Sequence, residues 1–246
     1  MKNTPDFNLP LSKLPRAILF DYDGVLVSSE PIHLSAWMQL LIELGLPPDR
    51  EFVKRSIGRT APEIMAALLD QYRPEWDPKD YDVHQLAQRK NVFYLSMAES
   101  ELQVFPGVRE GLLWLKSQGI KSAVVSNGRR NELEKTMKTL EIFQLFDEII
   151  SRDDVNRFKP DPTPYLVGAA TFGLDPSECV AIEDSPPGLE AALMAKVPAA
   201  AVLTSFPKEF LEAPVPGRPD LKPRWIGSSI QEFFDWLKRS SKAVTS

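Results

Sequence analysis

Five short apolar runs punctuate the chain, at Ala17–Phe20, Ala123–Val125, Glu148–Ile150, Cys179–Ile182 and Ala199–Leu203. None shows clean alternation, and each is bounded by polar residues. Continuous runs of this length predict strands buried on both faces, as in a parallel sheet sandwiched by helices. Helical periodicity fills the gaps. Leu133, Met137 and Leu140 fall at i, i+4 and i+7, with Asn131 and Glu134 spaced as a cap and its return partner. Gly188–Met194 continues similarly after the fourth run. Strand–helix alternation from about residue 100 onward predicts a Rossmann-like, doubly wound α/β domain.

Residues 30–100 follow a different pattern. Leu34, Trp37, Leu41 and Leu44 form one helical face that stops at Gly45 and Pro47. Thr60 and Glu63 are spaced as a capping box, with Pro62 in the first turn. "VHQLAQRKNVFYLSM" carries a further helical pattern, and no strand pattern stands out. The expected organisation is a core domain made of residues 1–29 and 101–246, with a helical insertion at 30–100 after the first strand. A last amphipathic helix is expected around Ile230–Lys238, and the proline-rich N-terminus and residues 212–224 are expected to be irregular.

Composition narrows the class. Of 246 residues, 43% are hydrophobic and 26% charged, enough apolar side chain for a substantial core. The net charge of −5, with no basic run, argues against a nucleic-acid or anionic-membrane partner. Cys179 is the single cysteine, which excludes an internal disulfide framework and a cysteine-rich zinc site. No stretch approaches the ~20 apolar residues of a membrane span, and the N-terminus lacks a signal-peptide core. A cytoplasmic protein, monomeric or a small homo-oligomer, is the expectation.

In open α/β sheets, ligands bind outside the carboxyl ends of the strands. The residues there are Asp21 and Asp23, then Ser126 and Asn127, then Ser151 with Asp153 and Asp154, then Glu183 and Asp184, with Lys159 shortly after the third run. In an extended segment residues two apart share a face, so Asp21 and Asp23 point together and Tyr22 turns away. Two like charges ~4 Å apart at an effective dielectric near 20 repel by about 4 kcal/mol. Protons or a cation must neutralise the cluster. An all-oxygen, carboxylate-rich donor set without His or Cys suits Mg²⁺, which also recruits phosphate oxygens. Lys159, the Ser126 hydroxyl and backbone N–H groups at a helix start are anion-binding parts. The inventory points to a phosphate ester, attacked by one carboxylate while a second acid protonates the leaving oxygen.

The segments "FDYDGVLVSSEPIH", "VVSNG", "RFKPDPTPY" and "AIEDSPPGLEAA" resemble, in order, the four motifs of the haloacid dehalogenase superfamily. The likeness is to its capped phosphatase and β-phosphoglucomutase-like branch. It spans roughly Arg16 to Ser205. It implies a phosphatase acting on a small phosphorylated metabolite through an aspartyl-phosphate. By this resemblance Asp21 is the nucleophile and a Mg²⁺ ligand, and Asp23 is the general acid/base, binding the metal through its backbone carbonyl. Ser126, Asn127 and Lys159 hold the phosphoryl group. Asp184 completes the metal site, with Glu183 among or just behind its ligands, and a helical cap closes over the crevice. Ser28 departs from the family pattern "DGVLVDSE" at a position that does not react.

Hydrolysis and phosphoryl return to a sugar use the same chemistry. His33, Trp37 and Lys90 match cap positions of the mutases. Those mutases, however, carry a Lys before the cap-loop glycine and an Arg three residues after it, where this chain has Ile57 and Ala61, with Arg59 directly after Gly58. The balance favours hydrolysis of a sugar phosphate or similar ester, with His33, Trp37, Arg59 and Lys90 shortlisted to read it. A mutase is the nearest alternative. A receiver-like signalling module and a catalytically dead binding protein are further ones. The P-loop pattern is absent.

Overall fold

The structure is a computed structural model and describes residues 14–56 and 60–244. It divides into two compact units. One runs through Ser28 and resumes at Gln103, and the other is Ser29–Leu102.

In the first unit, β1 (Ala17–Phe20), β2 (Lys121–Val125), β3 (Glu148–Ile150), β4 (Cys179–Glu183), β5 (Ala199–Val202) and β6 (Trp225–Gly227) form one sheet in the order β3-β2-β1-β4-β5-β6. Every pairing is parallel, and Leu19 in the central strand lies between Ala123 and Ala181. The five apolar runs are therefore strands. The sixth strand lies outside the sequence expectation, because three residues beside a proline-rich stretch are too short to show a pattern. Trp225 is nonetheless buried, and β6 pairs with β5 at the sheet edge.

The runs lack alternation because both faces are covered. Leu19 points into a cluster with Val125, Tyr165, Ala169 and Leu189, while its neighbour Phe20 meets the Phe234 ring at 6.1 Å on the other face. Burying each of these large side chains is worth about 1.5–3 kcal/mol. The sheet order reverses between β1 and β4, and the strand ends there form the crevice where ligands bind in such folds.

The second unit contains α1 (Glu30–Glu43), α2 (Arg50–Arg55), α3 (Ala61–Tyr72) and α4 (Val83–Glu101). Its core holds Trp37, Leu40, Leu41, Met65, Leu68 and Leu69. The Thr60 N–H donates to the Glu63 carboxylate at 2.7 Å, completing the expected return contact of the box. Asp82 caps α4, accepting from the His84 N–H at 2.9 Å.

The remaining helices belong to the sheet unit: α5 (Val108–Ser117), α6 (Arg130–Thr139), α7 (Thr163–Thr171), α8 (Pro186–Met194), α9 (Lys208–Glu212) and α10 (Ile230–Val244). One capping expectation is corrected. Asn131 does not cap α6, whose first residue is Arg130, with Arg129 at the cap position. The Arg130 N–H is satisfied instead by Asp153 Oδ2 at 2.9 Å, a partner from the segment after β3. Glu134 accordingly pairs with Lys138 one turn on, at 3.1 Å. Among the described residues no helix is long and apolar enough to cross a membrane.

Candidate active site

The end of β1 sets the site. After Phe20 the chain turns tightly, the Val27 and Leu26 N–H groups both donating to the Tyr22 carbonyl. Tyr22 points away as expected, buried with its hydroxyl donating to Thr136 at 2.8 Å. Gly24 makes the turn at φ +75°, a region that favours glycine. A Cβ there would sit 1.8 Å from Asp184 Oδ2, so the glycine also makes room for the acid at the end of β4.

Lys159 reaches this crevice from the segment between β3 and α7. Its ammonium donates to Asp21 Oδ1 at 2.6 Å, Glu183 Oε1 at 2.6 Å and the Val125 carbonyl at 2.7 Å. The Lys159 side chain is 5% exposed, Asp21 14% and Glu183 0%, so these charges meet largely out of water. The backbone of Lys159 is clamped as well. Its N–H donates to Asn127 Oδ1 at 3.1 Å, and Asn127 Nδ2 donates back to its carbonyl at 3.3 Å. The Lys159–Pro160 peptide is cis. Asn127, expected to hold an anion, thus has its side chain engaged with the lysine segment. The Ser126 side chain is buried beside it, and its Oγ accepts from the Gly128 N–H at 3.0 Å.

Asp21, Glu183 and Asp184 each bring one carboxylate oxygen within 4.8 Å of the others. Burial pushes the Asp21 carboxyl up to about 7; Lys159 opposes this, while Glu183 and Asp23 add to it. Burial, then Asp21 and Glu183, hold Asp184 well above the usual carboxylate range. Burial lowers Lys159, but the two carboxylates outweigh it and the ammonium stays charged. One lysine therefore does not satisfy the cluster. Hard oxygen donors at this spacing with surplus negative charge fit a magnesium ion, which offers the missing countercharge.

Three contributors lie outside the sequence expectations. Thr204 Oγ1 donates to the Gly24 carbonyl at 2.5 Å, and the Ser205 hydroxyl donates to Asp184 Oδ2. Both follow β5, and the strand-end rule would have found them had it been carried to the fifth run. Tyr165, in the first turn of α7, donates its hydroxyl to Glu183 Oε1 at 2.5 Å. Asp153 and Asp154, by contrast, are spent on α6: Asp154 accepts from Ser151 Oγ at 2.5 Å and Arg130 at 2.8 Å.

Within the helical unit, His33, Trp37 and Lys90 come together. Lys90 Nζ lies 2.6 Å from His33 Nδ1 and 5.8 Å from the Trp37 ring centre. The His33 ring stacks on Tyr94 at 4.0 Å. Burial and then the Lys90 charge hold the imidazole well below its usual range, so it stays neutral and accepts from the ammonium. Arg59 lies outside the described residues.

Comparison with known proteins agrees with this geometry. The family model of haloacid dehalogenase-like hydrolases matches residues 18–202. Validoxylamine A 7'-phosphate phosphatase of Streptomyces hygroscopicus subsp. limoneus is 30% identical over 217 residues, covering 87% of this chain and 99% of its own. Beta-phosphoglucomutase of Bacillus subtilis is 30% identical over 179 residues, 72% of this chain and 78% of its own. Among solved structures, beta-phosphoglucomutase of Clostridium difficile superposes with a TM-score of 0.69 at 22% identity, covering 95% of this chain and 100% of that one, a likeness of fold. With a parallel sheet, its acids at the switch point and a family match over most of its length, the chain belongs to the haloacid dehalogenase-like hydrolase family.

Proposed function

We propose that the protein is a Mg²⁺-dependent phosphatase that hydrolyses a small phosphomonoester, of the sugar-phosphate kind, through an aspartyl-phosphate on Asp21. The observation that carries this reading is the contact of Asp21 Oδ1 with Lys159 Nζ at 2.6 Å, in a cluster with Glu183 and Asp184. Support for the substrate class comes from the relatives, among them a phosphatase of phosphorylated carbohydrates from Thermotoga maritima. Asp21, Asp184 and the Asp23 carbonyl would hold the metal, with Glu183 among or just behind these ligands. When bound, the ion neutralises the carboxylates and the phosphoryl oxygens.

The chain's own groups do the rest. The free oxygen of Asp21 attacks phosphorus, and the bond to the ester oxygen breaks. Asp23 in its acid form gives that oxygen a proton, releasing the alcohol. Asp23, now a base, takes a proton from water, whose oxygen attacks phosphorus and returns Asp21 as a carboxylate with free phosphate. Lys159, the Ser126 hydroxyl and nearby backbone N–H groups hold the phosphoryl oxygens throughout. Residues 29–102 act as the cap, with His33, Trp37, Arg59 and Lys90 as candidates to read the organic part.

The test is phosphate release from a panel of sugar phosphates and other small phosphate esters, with Mg²⁺, with EDTA and with Asp21→Asn. Release should require Mg²⁺ and fall by about 10³-fold or more in the variant, since the nucleophile is gone. Folded protein that releases nothing, yet interconverts sugar phosphates when a bisphosphate activator is added, would establish the mutase reading instead.

A further inference from the structure

The acids and the lysine account for the chemistry, but one buried side chain that no reacting step uses touches both. Tyr165 lies on α7 and is 0% exposed. Its hydroxyl donates to Glu183 Oε1 at 2.5 Å, the same oxygen that accepts from Lys159 at 2.6 Å. Its ring centre stands 5.0 Å from the Lys159 ammonium. We propose that Tyr165 is a positioning residue for the phosphate-holding lysine, acting through Glu183. This rests on the reading above that Lys159 grips the phosphoryl group.

The lysine's position depends on which of its anchors can drift. A lysine is a point charge on a flexible four-carbon stem, so its place is set by its acceptors. The Val125 carbonyl is fixed by the sheet, and Asp21 is the group that reacts. Glu183 is the remaining anchor, and its carboxylate can rotate. Its other oxygen, Oε2, accepts from Ser185 Oγ at a longer 3.2 Å, and a Cβ on Gly188 would lie 1.9 Å from it. Gly188 therefore gives the carboxylate room, and the Tyr165 hydroxyl fixes which oxygen faces the lysine. Core packing alone does not account for the hydroxyl. The ring fills the cluster with Leu19, Val125 and Ala169, a task phenylalanine performs equally well. A buried hydroxyl is costly unless it is paired, and here its partner is the lysine's own anchor.

The experiment is a double-mutant cycle of Tyr165→Phe and Glu183→Gln, reading the Kd of inorganic phosphate by calorimetry with Mg²⁺ present. KM for the best ester, the Mg²⁺ Kd and the Tm are measured in parallel. Tyr165→Phe should weaken phosphate and raise KM together, by on the order of tenfold, with the Mg²⁺ Kd unchanged. In the Glu183→Gln background the tyrosine change should add less than about twofold, because the relay is already cut. A Tyr165→Phe protein with wild-type phosphate Kd, whatever its Tm, overturns the proposal. So does a full effect that persists without Glu183, or wild-type protein that binds no phosphate. Should Tyr165→Phe not fold, Glu183→Gln decides alone: an unchanged phosphate Kd removes the relay, and a loss of tenfold or more with the Mg²⁺ Kd unchanged supports it. Failure of the phosphatase reading is distinct. It would show as protein whose phosphate binding depends on Tyr165 but which releases none from any ester.

Discussion

At the scale of single residues, the site is built by side chains that are missing as much as by those present. Gly24 combines a left-handed backbone with a Cα pressed against Asp184, so both conformation and space forbid a methyl group. Gly24→Ala should lose at least about 1 kcal/mol from the backbone alone, visible as a lower urea midpoint. It should lose most phosphate release as well, since Asp184 must move; a variant with normal activity would show that Asp184 is not needed where it lies. The acids and the lysine were legible in the sequence because each follows an apolar run. Thr204 and Ser205 needed the same rule carried to the fifth run, and Tyr165 was not legible, because a hydroxyl that braces a carboxylate looks like any other hydroxyl until the chain is folded.

At the scale of elements, the strands were readable because burial on both faces leaves an unbroken apolar signature. What local spacing could not reveal was long-range capping. The start of α6 is satisfied by Asp153, 23 residues away, in place of its own Asn131. Asp147 works similarly between strands. It accepts from the Ser122 N–H at 2.9 Å and from Lys121 Nζ at 2.8 Å, tying the approach to β3 to β2. Partial burial raises its pKa, but Lys121 and the Ser122 N–H outweigh that and hold it below the ordinary 3.8. A carboxyl depressed on folding stabilises above its unfolded pKa, and the benefit disappears as pH falls through the folded value. Asp147→Asn should therefore cost about 1 kcal/mol at pH 7. The gap to wild type should narrow in melts taken as pH falls below the ordinary 3.8; a gap independent of pH would assign the loss to packing.

At the scale of the whole molecule, stability and function pull against each other at the sheet's switch point. Asp21, Glu183 and Asp184 repel one another, so a bound cation should stabilise the fold. Mg²⁺ at a hundredfold its Kd adds about 2.7 kcal/mol, and for a chain of this size each kcal/mol shifts Tm by roughly 2–4 °C. Asp184→Asn should abolish that increment and raise the metal-free Tm, as the buried surplus charge is relieved. A wild-type Tm indifferent to Mg²⁺ would remove these carboxylates as the metal site. The reading of the chain as strands with acids at their ends was enough to foresee this cluster, but not how it is held together. Lys159 does that, joining the ends of the adjacent strands β2, β1 and β4. An ammonium has three protons to give, and here each has a recipient: the Val125 carbonyl, Asp21 and Glu183. A phosphoryl oxygen can take hold of this lysine only by exchange. The carbonyl belongs to the sheet and the glutamate is pinned by a tyrosine, so the bond that yields is the one to Asp21. On the proposed reading, the arriving ester thereby loosens the lysine's hold on Asp21, the carboxylate that attacks it.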